Sequence, residues 1–579
     1  MDLDDRGGKI GNVIVIGFSF VLIACVIIGF AASYRASPTP GDVSASRLSP
    51  PPPAPDLHLP QNSSSASSNK ALASNFPTLE SVCLQTDYVP TCRTSLSYVT
   101  NGKNSTYQDF IVAAINEAIQ DVNFVKDLSK QLLSDSNIGI DHQALNDCDE
   151  LLSLGLYDLK AAVSAASNNS DLLDTNSADI KNWLSAVLAY QEACSDGLMN
   201  KDSKLAMNNA LKNPKQKTSN ALAILDSYLK IQTPPENNNT SRILLSDDYP
   251  SWFSFANRRL LEGNESSTLQ PDAIVAGDGS GQFRTIGEAL NSYKLNGNGL
   301  YVIYVKAGVY NEHVFVPLNL TNVYMYGDGI DKTIVSDSKH ATDGFPAYRT
   351  ATIAVLGDGF VCKSMTIQNR AKSDRETVAL RIQSDKAAIF RCKIEGSERS
   401  LYALAQRQFY RECIIIGSKD IIFGDSATII QKSQILVRKS SKLNNFYTVT
   451  AQGRTERTET TGFVLHDCNI TQETESWNIP TYLGRPAGRY SRTLIMQSYI
   501  GNVIDPEGWS LGSSKREKKM CFAELENNGP GADTRKRIKS EGYEIITNNS
   551  EAENYFPSNF IQANLWLGQI QVPFEDNLL

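Results

Sequence analysis

Ala388–Gly396 reads AIFRCKIEG, Gln408–Gly417 reads QFYRECIIIG and Thr428–Leu436 reads TIIQKSQIL. The three segments start about 20 residues apart, and each is a short β-branched or aromatic run. No helical pattern fits between them, which argues against alternating strands and helices. A repeat of this length, one short strand set per turn, predicts a right-handed parallel β-helix. Coils in such a stack lie about 4.8 Å apart, so residues one repeat apart become neighbours. Cys392 and Cys413 fall one coil apart and are expected to bridge. Glu376, Glu398 and Asp420 recur at steps of 22 residues and are expected to form a carboxylate ladder beside Arg399. Like charges at that spacing raise at least one pKa, which marks a candidate site. An exposed charged ladder balanced by Arg399 fits the spacing equally well. Asp420 itself stands inside IIIGSKDIIFGD, Ile414–Asp425, where a carboxylate is costly unless its charge is stabilised nearby.

The β pattern fills residues 271–579, the last of five regions. The first, residues 1–35, contains the uncharged run Val13–Ala32, long enough to span a bilayer and preceded by Arg6 and Lys9. It reads as an uncleaved signal anchor, a membrane attachment through an N-terminal helix; Ala31-Ala32-Ser33 leaves signal-peptide cleavage open. Residues 36–75 are rich in Ser and Pro and read as an extended linker. Residues 76–231 carry apolar positions three and four apart, as in DFIVAAINEAIQDVNFVKDLSKQLL from Asp109, and predict an all-α antiparallel bundle of several amphipathic helices. Residues 232–270 form a second linker containing SRILL at Ser241 and NRRLL at Asn257. The Arg258–Arg259 pair reads as a processing site in an exported precursor, or as a merely solvated charge pair.

Composition narrows the classes further. The chain has 579 residues and a formal charge of −8, which gives no sign of nucleic-acid binding. Asn-X-Ser/Thr sequons begin at Asn62, Asn104, Asn168, Asn238, Asn239, Asn264, Asn319, Asn469 and Asn548, a density that suits an exported glycoprotein. The ten cysteines include no CxxC, so disulfides in an oxidising compartment are favoured over a metal site.

Longer strings in residues 271–579 carry a resemblance. DGSGQFRTIGEAL at Asp278, GVYNEHV at Gly308, QNRA at Gln368, VALR at Val378 and RQFYREC at Arg407 come first. DIIFGD at Asp420, TAQGRT at Thr450, YLGRP at Tyr482, SRTLIMQSYIG at Ser491, DPEGW at Asp505 and NNGPGA at Asn527 follow. In this order they resemble the plant pectin methylesterases, which are right-handed parallel β-helices. CLQTDYVPTC at Cys83, ALNDCDELL at Ala144 and WLSAVLAYQEAC at Trp183 resemble pectin methylesterase inhibitor domains, which are all-α four-helix bundles. That likeness implies the disulfides Cys83–Cys92 and Cys148–Cys194. The two-part layout resembles pectinesterases made with an inhibitor-like, autoinhibitory pro-region, which implies release at RRLL-type motifs by a subtilisin-like protease.

The resemblance implies hydrolysis of methyl esters on pectin homogalacturonan in the plant cell wall, with no metal or other cofactor. An aspartate attacks the ester, a second aspartate serves as acid and then base, two glutamines hold the oxyanion and an arginine positions the nucleophile. Carried onto this chain, the nucleophile is Asp420 and the arginine is Arg485. The glutamine positions hold Glu376 and Glu398, and the general-acid position holds Arg399. Sugar-contacting aromatics match at Tyr402, Phe423 and Trp509, with Tyr348 a weaker match, while Ala487 stands where the family has tryptophan. Arginine cannot exchange the proton, and an ionised glutamate repels an oxyanion. Losing one oxyanion donor costs roughly 10²–10³ in rate, and losing a general acid about 10²–10⁴. Weak or absent turnover is therefore expected. Three readings stay open: a slowed esterase, a pectin-binding protein without turnover, and an inhibitor acting on another esterase through its bundle.

Overall fold

The computed structural model describes residues 76–100, 104–135, 139–167, 170–232, 269–293, 299–341, 346–371, 376–440, 445–474, 479–512 and 519–579. The Val13–Ala32 run, the first linker and the Arg258–Arg259 pair lie outside these residues. Among the described residues no helix is long and apolar enough to cross a membrane.

Four long helices, α1 (Tyr107–Asp135), α2 (Gly139–Ser167), α3 (Ser170–Asp196) and α4 (Lys201–Gln232), pack in a closed ring, each against its sequence neighbour and α1 against α4. Thr106 starts α1: its hydroxyl accepts from the Asp109 amide while the Asp109 carboxylate accepts from the Thr106 amide. The buried stripe Ile111, Ile115, Ala118, Val122 and Val125 then follows the helical period. Disulfides join Cys83 to Cys92 and Cys148 to Cys194, the second tying α2 to α3.

From Ala273 the chain winds through three all-parallel sheets, of eleven, seven and eight strands among the described residues, in which successive coils supply adjacent strands. This is the parallel β-helix expected from the repeat. Ile394, Ile415, Ile435 and Ile470 lie in register on successive rungs, as do Ile389, Tyr410, Ile430, Leu465 and Ile495. Both stacks are buried, so period-2 alternation within each run becomes a continuous apolar core along the axis. Each coil turns one corner through a left-handed residue: Arg391, Glu412, Lys432, Asp467, Gln497 and Glu526 all have φ near +50°.

The expected Cys392–Cys413 bridge is absent. Cys362, Cys392 and Cys413 are free and buried. The Cys392 sulfur lies 3.7 Å from that of Cys362, one coil earlier, and Cys413 points its thiol at the Ile389 and Arg411 carbonyls, both 3.3 Å away. Being one coil apart set the spacing of the two residues, but the thiols turned to backbone acceptors instead of each other.

Candidate active site

The seven-stranded sheet floors the site. Its central strands are β1 (Leu380–Ile382), β2 (Leu401–Ala403), β3 (Ile422–Gly424), β4 (Tyr447–Gln452) and β5 (Thr481–Pro486). Leu401 pairs with Ile422, a step of 21 residues. Arg399 and Asp420, two residues before those partners, occupy the same corner on adjacent coils, both in the left-handed region at φ +60° and +50°. The Arg399 amide donates to the Lys419 carbonyl at 3.0 Å, which locks that register. Asp420 therefore stacks over Arg399, not over Glu398. Glu398 bridges to Glu376 in the backbone and is buried away from the cleft lining. The expected ladder at steps of 22 residues is thus corrected: one coil is a residue shorter, and a one-residue slip turns a side chain to the other face.

Asp420 is 3 % exposed and fully engaged. Arg485, on β5, donates from Nε to Oδ1 at 2.8 Å and from Nη2 to Oδ2 at 2.6 Å, a bidentate pair. The Thr448 hydroxyl, on β4, donates to Oδ1 at 2.7 Å and accepts from the Asp420 amide at 2.9 Å. Arg399 Nε stands 3.9 Å from Oδ2. Burial opposes the carboxylate's charge most strongly, but the Arg485 pair, the Arg399 charge and the Thr448 bond outweigh it and hold the carboxyl below its ordinary range. The raised carboxylate expected from like-charge crowding is not found at Asp420, because Arg399 interrupts the acidic row.

Arg399 also reaches Glu376, Nη1 to Oε2 at 3.2 Å, and lies 5.3 Å from the Phe423 ring centre. Burial works against its charge, but Glu376 and then Asp420 more than compensate and push the guanidinium pKa up. It is a fixed cation wedged between two carboxylates.

Tyr402 and Phe423 stack in register on β2 and β3, ring centres 4.0 Å apart, and form an aromatic floor. Gly424 follows Phe423 at φ +121°, where an added Cβ would collide with the Ala403 carbonyl. Trp509 is not part of this floor. It is fully buried, stacks on Phe522 at 4.5 Å and donates its indole N–H to Glu524 at 3.0 Å, which corrects its expected role as a sugar contact. The buried Glu524–Arg537 pair needs that donor, and the indole fills the core behind it.

The remaining wall comes from the helical bundle. A cavity of about 590 Å³ is lined by Glu376, Arg399, Tyr402, Asp420, Phe423 and Arg485 on one side and by Glu192, Asp196 and Met199, from the end of α3 and the turn after it, on the other. Tyr348 is buried by this contact: its ring lies 3.4 Å from the Arg381 guanidinium and its hydroxyl donates to Glu150 of α2 at 2.8 Å. Arg349 donates to Asp147 at 2.5 Å and to Glu150 at 2.6 Å. Asn182 of α3 donates to Gln406 at 2.5 Å and to Asp385 at 3.1 Å. Tyr88 and Ser219 both donate to Glu456, at 2.8 and 3.0 Å.

Sequence patterns gave no hint of Thr448. It lies 28 residues beyond Asp420 on the next coil, and the loop between them breaks the repeat of about 20 that would have aligned the two. Arg349 escaped for a different reason, since its partners Asp147 and Glu150 are some 200 residues away in the bundle.

The profile of the family described as Pectinesterase matches residues 272–564, and that described as Plant invertase/pectin methylesterase inhibitor matches residues 77–224. The chain belongs to the pectinesterase family. Within it, "Probable pectinesterase/pectinesterase inhibitor 13" of Arabidopsis thaliana is 36% identical over 537 residues, 90% of this chain and 85% of the relative. "Pectinesterase 3" of Phaseolus vulgaris is 35% identical over 512 residues, 86% of this chain and 87% of the relative. Among solved structures, "Pectin methylesterase from Carrot" superposes with a TM-score of 0.53 and 39% identity, over 54% of this chain and 100% of the carrot chain. This pectinesterase-family chain thus pairs an inhibitor-like helical domain with a β-helix.

Proposed function

We propose that the chain binds pectin homogalacturonan in the cleft over Tyr402 and Phe423 and cleaves its methyl esters slowly, with Asp420 as nucleophile. The observation that carries this reading is Arg399, held 3.2 Å from Glu376 and 3.9 Å from Asp420. Attack of the Asp420 carboxylate on the ester carbonyl gives a tetrahedral oxyanion, and Arg485 and Arg399 are both placed to stabilise that charge. Collapse to the acyl-enzyme then expels methoxide, which must gain a proton. Water must later lose one as it attacks the acyl-enzyme and restores Asp420. Arg399 stands where that proton would be exchanged and cannot exchange it. Binding and charge stabilisation remain, while proton transfer falls to solvent.

The bundle closes this cleft, so turnover requires its release. Arg258–Arg259 in the linker supports cleavage by a subtilisin-like protease as the route. Asn104, Asn319, Asn469 and Asn548 are exposed, which supports glycosylation during export to the cell wall. The Val13–Ala32 run supports an anchored stage before processing.

The test is methanol release from methylated pectin by the chain cut in its linker and freed of the bundle, alongside pectin binding. Slow release that Asp420→Asn abolishes, with binding retained, is the expected result. Release that survives Asp420→Asn would refute the nucleophile assignment, and binding with no release at all would leave a pectin-binding protein.

A further inference from the structure

A second cavity, of about 500 Å³, lies between α3 and α4 of the bundle and the coils that carry Arg454 and Arg492. Its walls hold Lys181, Lys230, Arg407, Arg454, Arg457 and Arg492 against only Asp226 and Glu459. Four of the six cations are neutralised. Lys181 and Lys230 share Asp226 at 2.6 and 2.8 Å, Arg407 pairs with Asp385 and Asp179, both at 2.6 Å, and Arg457 pairs with Asp87 at 3.2 Å. Among the described residues, neither Arg454 nor Arg492 reaches a carboxylate at ion-pair distance.

Arg454 is 6 % exposed, and its Nε is buried with no hydrogen-bond partner. Its Nη2 donates to the Arg457 carbonyl. Glu459 does not supply the missing charge. Burial and then the neighbouring Asp425 push its carboxyl well above the usual range, and its Oε1 accepts the Thr455 and Glu456 amides at 3.0 and 2.6 Å. Burial, followed by the facing Arg492, depresses the Arg454 guanidinium to about 10. Two guanidinium groups, one of them buried, therefore line the same cavity. Such an arrangement is costly unless an anion completes it.

We propose that this cavity is a second binding site, which takes one small oxyanion, a carboxylate or a phosphate, between Arg454 and Arg492. The planar guanidinium fork suits two oxygens of such a group. The oxyanion comes either from a uronate at the end of a short galacturonan, a source that rests on the function proposed above, or from free inorganic phosphate. Because the walls belong to both domains, occupancy favours the state in which the bundle is docked.

Calorimetric titration of the whole chain at fixed ionic strength, with inorganic phosphate and separately with digalacturonate, tests this against a chloride blank. One equivalent of at least one anion should bind. Arg454→Met and Arg492→Met should each weaken that binding about tenfold or more, while Arg535→Met, on the exposed surface and remote from either cavity lining, should leave it unchanged. Phosphate binding alone would identify a free anion as the ligand, and digalacturonate binding with the same sensitivity would identify the uronate. Absence of binding by either anion, or binding indifferent to both substitutions, would overturn the site. Should Arg454→Met fail to fold, Arg492→Met decides alone, since that side chain is only partly buried. Neither readout depends on methanol release, so this site and the slow esterase can fail separately.

Discussion

Two sets of buried aspartates in this molecule meet opposite fates. Asp420 is buried beside Arg485 and Arg399, and its carboxyl is held below the ordinary range. At the interface between the domains, Asp158 of α2 is just as buried and Asp358 of the β-helix is half-buried. Asp158 accepts from Gln406 at 2.7 Å, and Asp358 accepts from the Asp385 amide at 2.9 Å. Burial, then Asp358 and Asp385, push the Asp158 carboxyl well up; burial, then Asp385, push Asp358 up to about 7. The third member, Asp385, escapes because the Arg407 pair outweighs the burial that opposes its charge. Burial alone therefore does not set the direction of the shift: Arg485 outweighs it at Asp420 and Arg407 at Asp385, whereas Arg349 does not outweigh it at Asp147.

The largest effect should come from removing the guanidinium that separates the two cases at the interface. Arg407→Leu leaves Asp385 and Asp179 without their partner and should destabilise the chain by about 3–5 kcal/mol, read by denaturant unfolding. An unchanged midpoint would show that Asp385 simply takes up a proton, and the contrast would collapse.

A second effect concerns pH. The docked state keeps protons on Asp158 and Asp358 that the separated domains release, so it binds more protons and loses stability as pH rises. That loss should begin above the ordinary aspartate value and run through the value of about 7 reached by Asp358. In a chain cut in its linker, gel filtration should show the bundle retained at acidic pH and progressively released toward neutrality. Asp158→Asn with Asp358→Asn should flatten the profile; an unaltered profile would assign the dependence elsewhere.

Smaller effects sharpen the cleft side. Thr448→Val removes the hydroxyl that both donates to and accepts from Asp420, and should cost about 1–3 kcal/mol because the Asp420 amide is left buried without a partner. Tyr348→Phe removes a single partly buried bond to Glu150 and should weaken docking by about 0.5–1.5 kcal/mol.

The period of about 20 residues that brought Ile415 and Ile435 together made the β-helix legible in the sequence, and the spacing of apolar residues did the same for the helices. The Asp420–Arg485 contact came from string resemblance alone, since 65 residues and an irregular loop separate the two. Register was the weak point. Reading steps of 22 put Glu398 under Asp420, whereas the 21-residue coil from Leu401 to Ile422 puts Arg399 there. String resemblance places Trp509 among the groove aromatics, and no local pattern distinguishes an indole over sugar from one over Phe522. The closure of the cleft by Glu192, Asp196 and Met199 depends on how two domains meet, and periodicity within either domain carries no trace of it.

The central claim is that a fixed cation at the proton-transfer position slows this member of the family. Methanol release by the bundle-free β-helix, compared with the same domain carrying Arg399→Asp and Glu376→Gln, tests it most directly. The account predicts a gain of about 10²–10⁴ in rate on restoring an ionisable acid and a neutral donor. Equal rates in two folded proteins that both depend on Asp420 would contradict it.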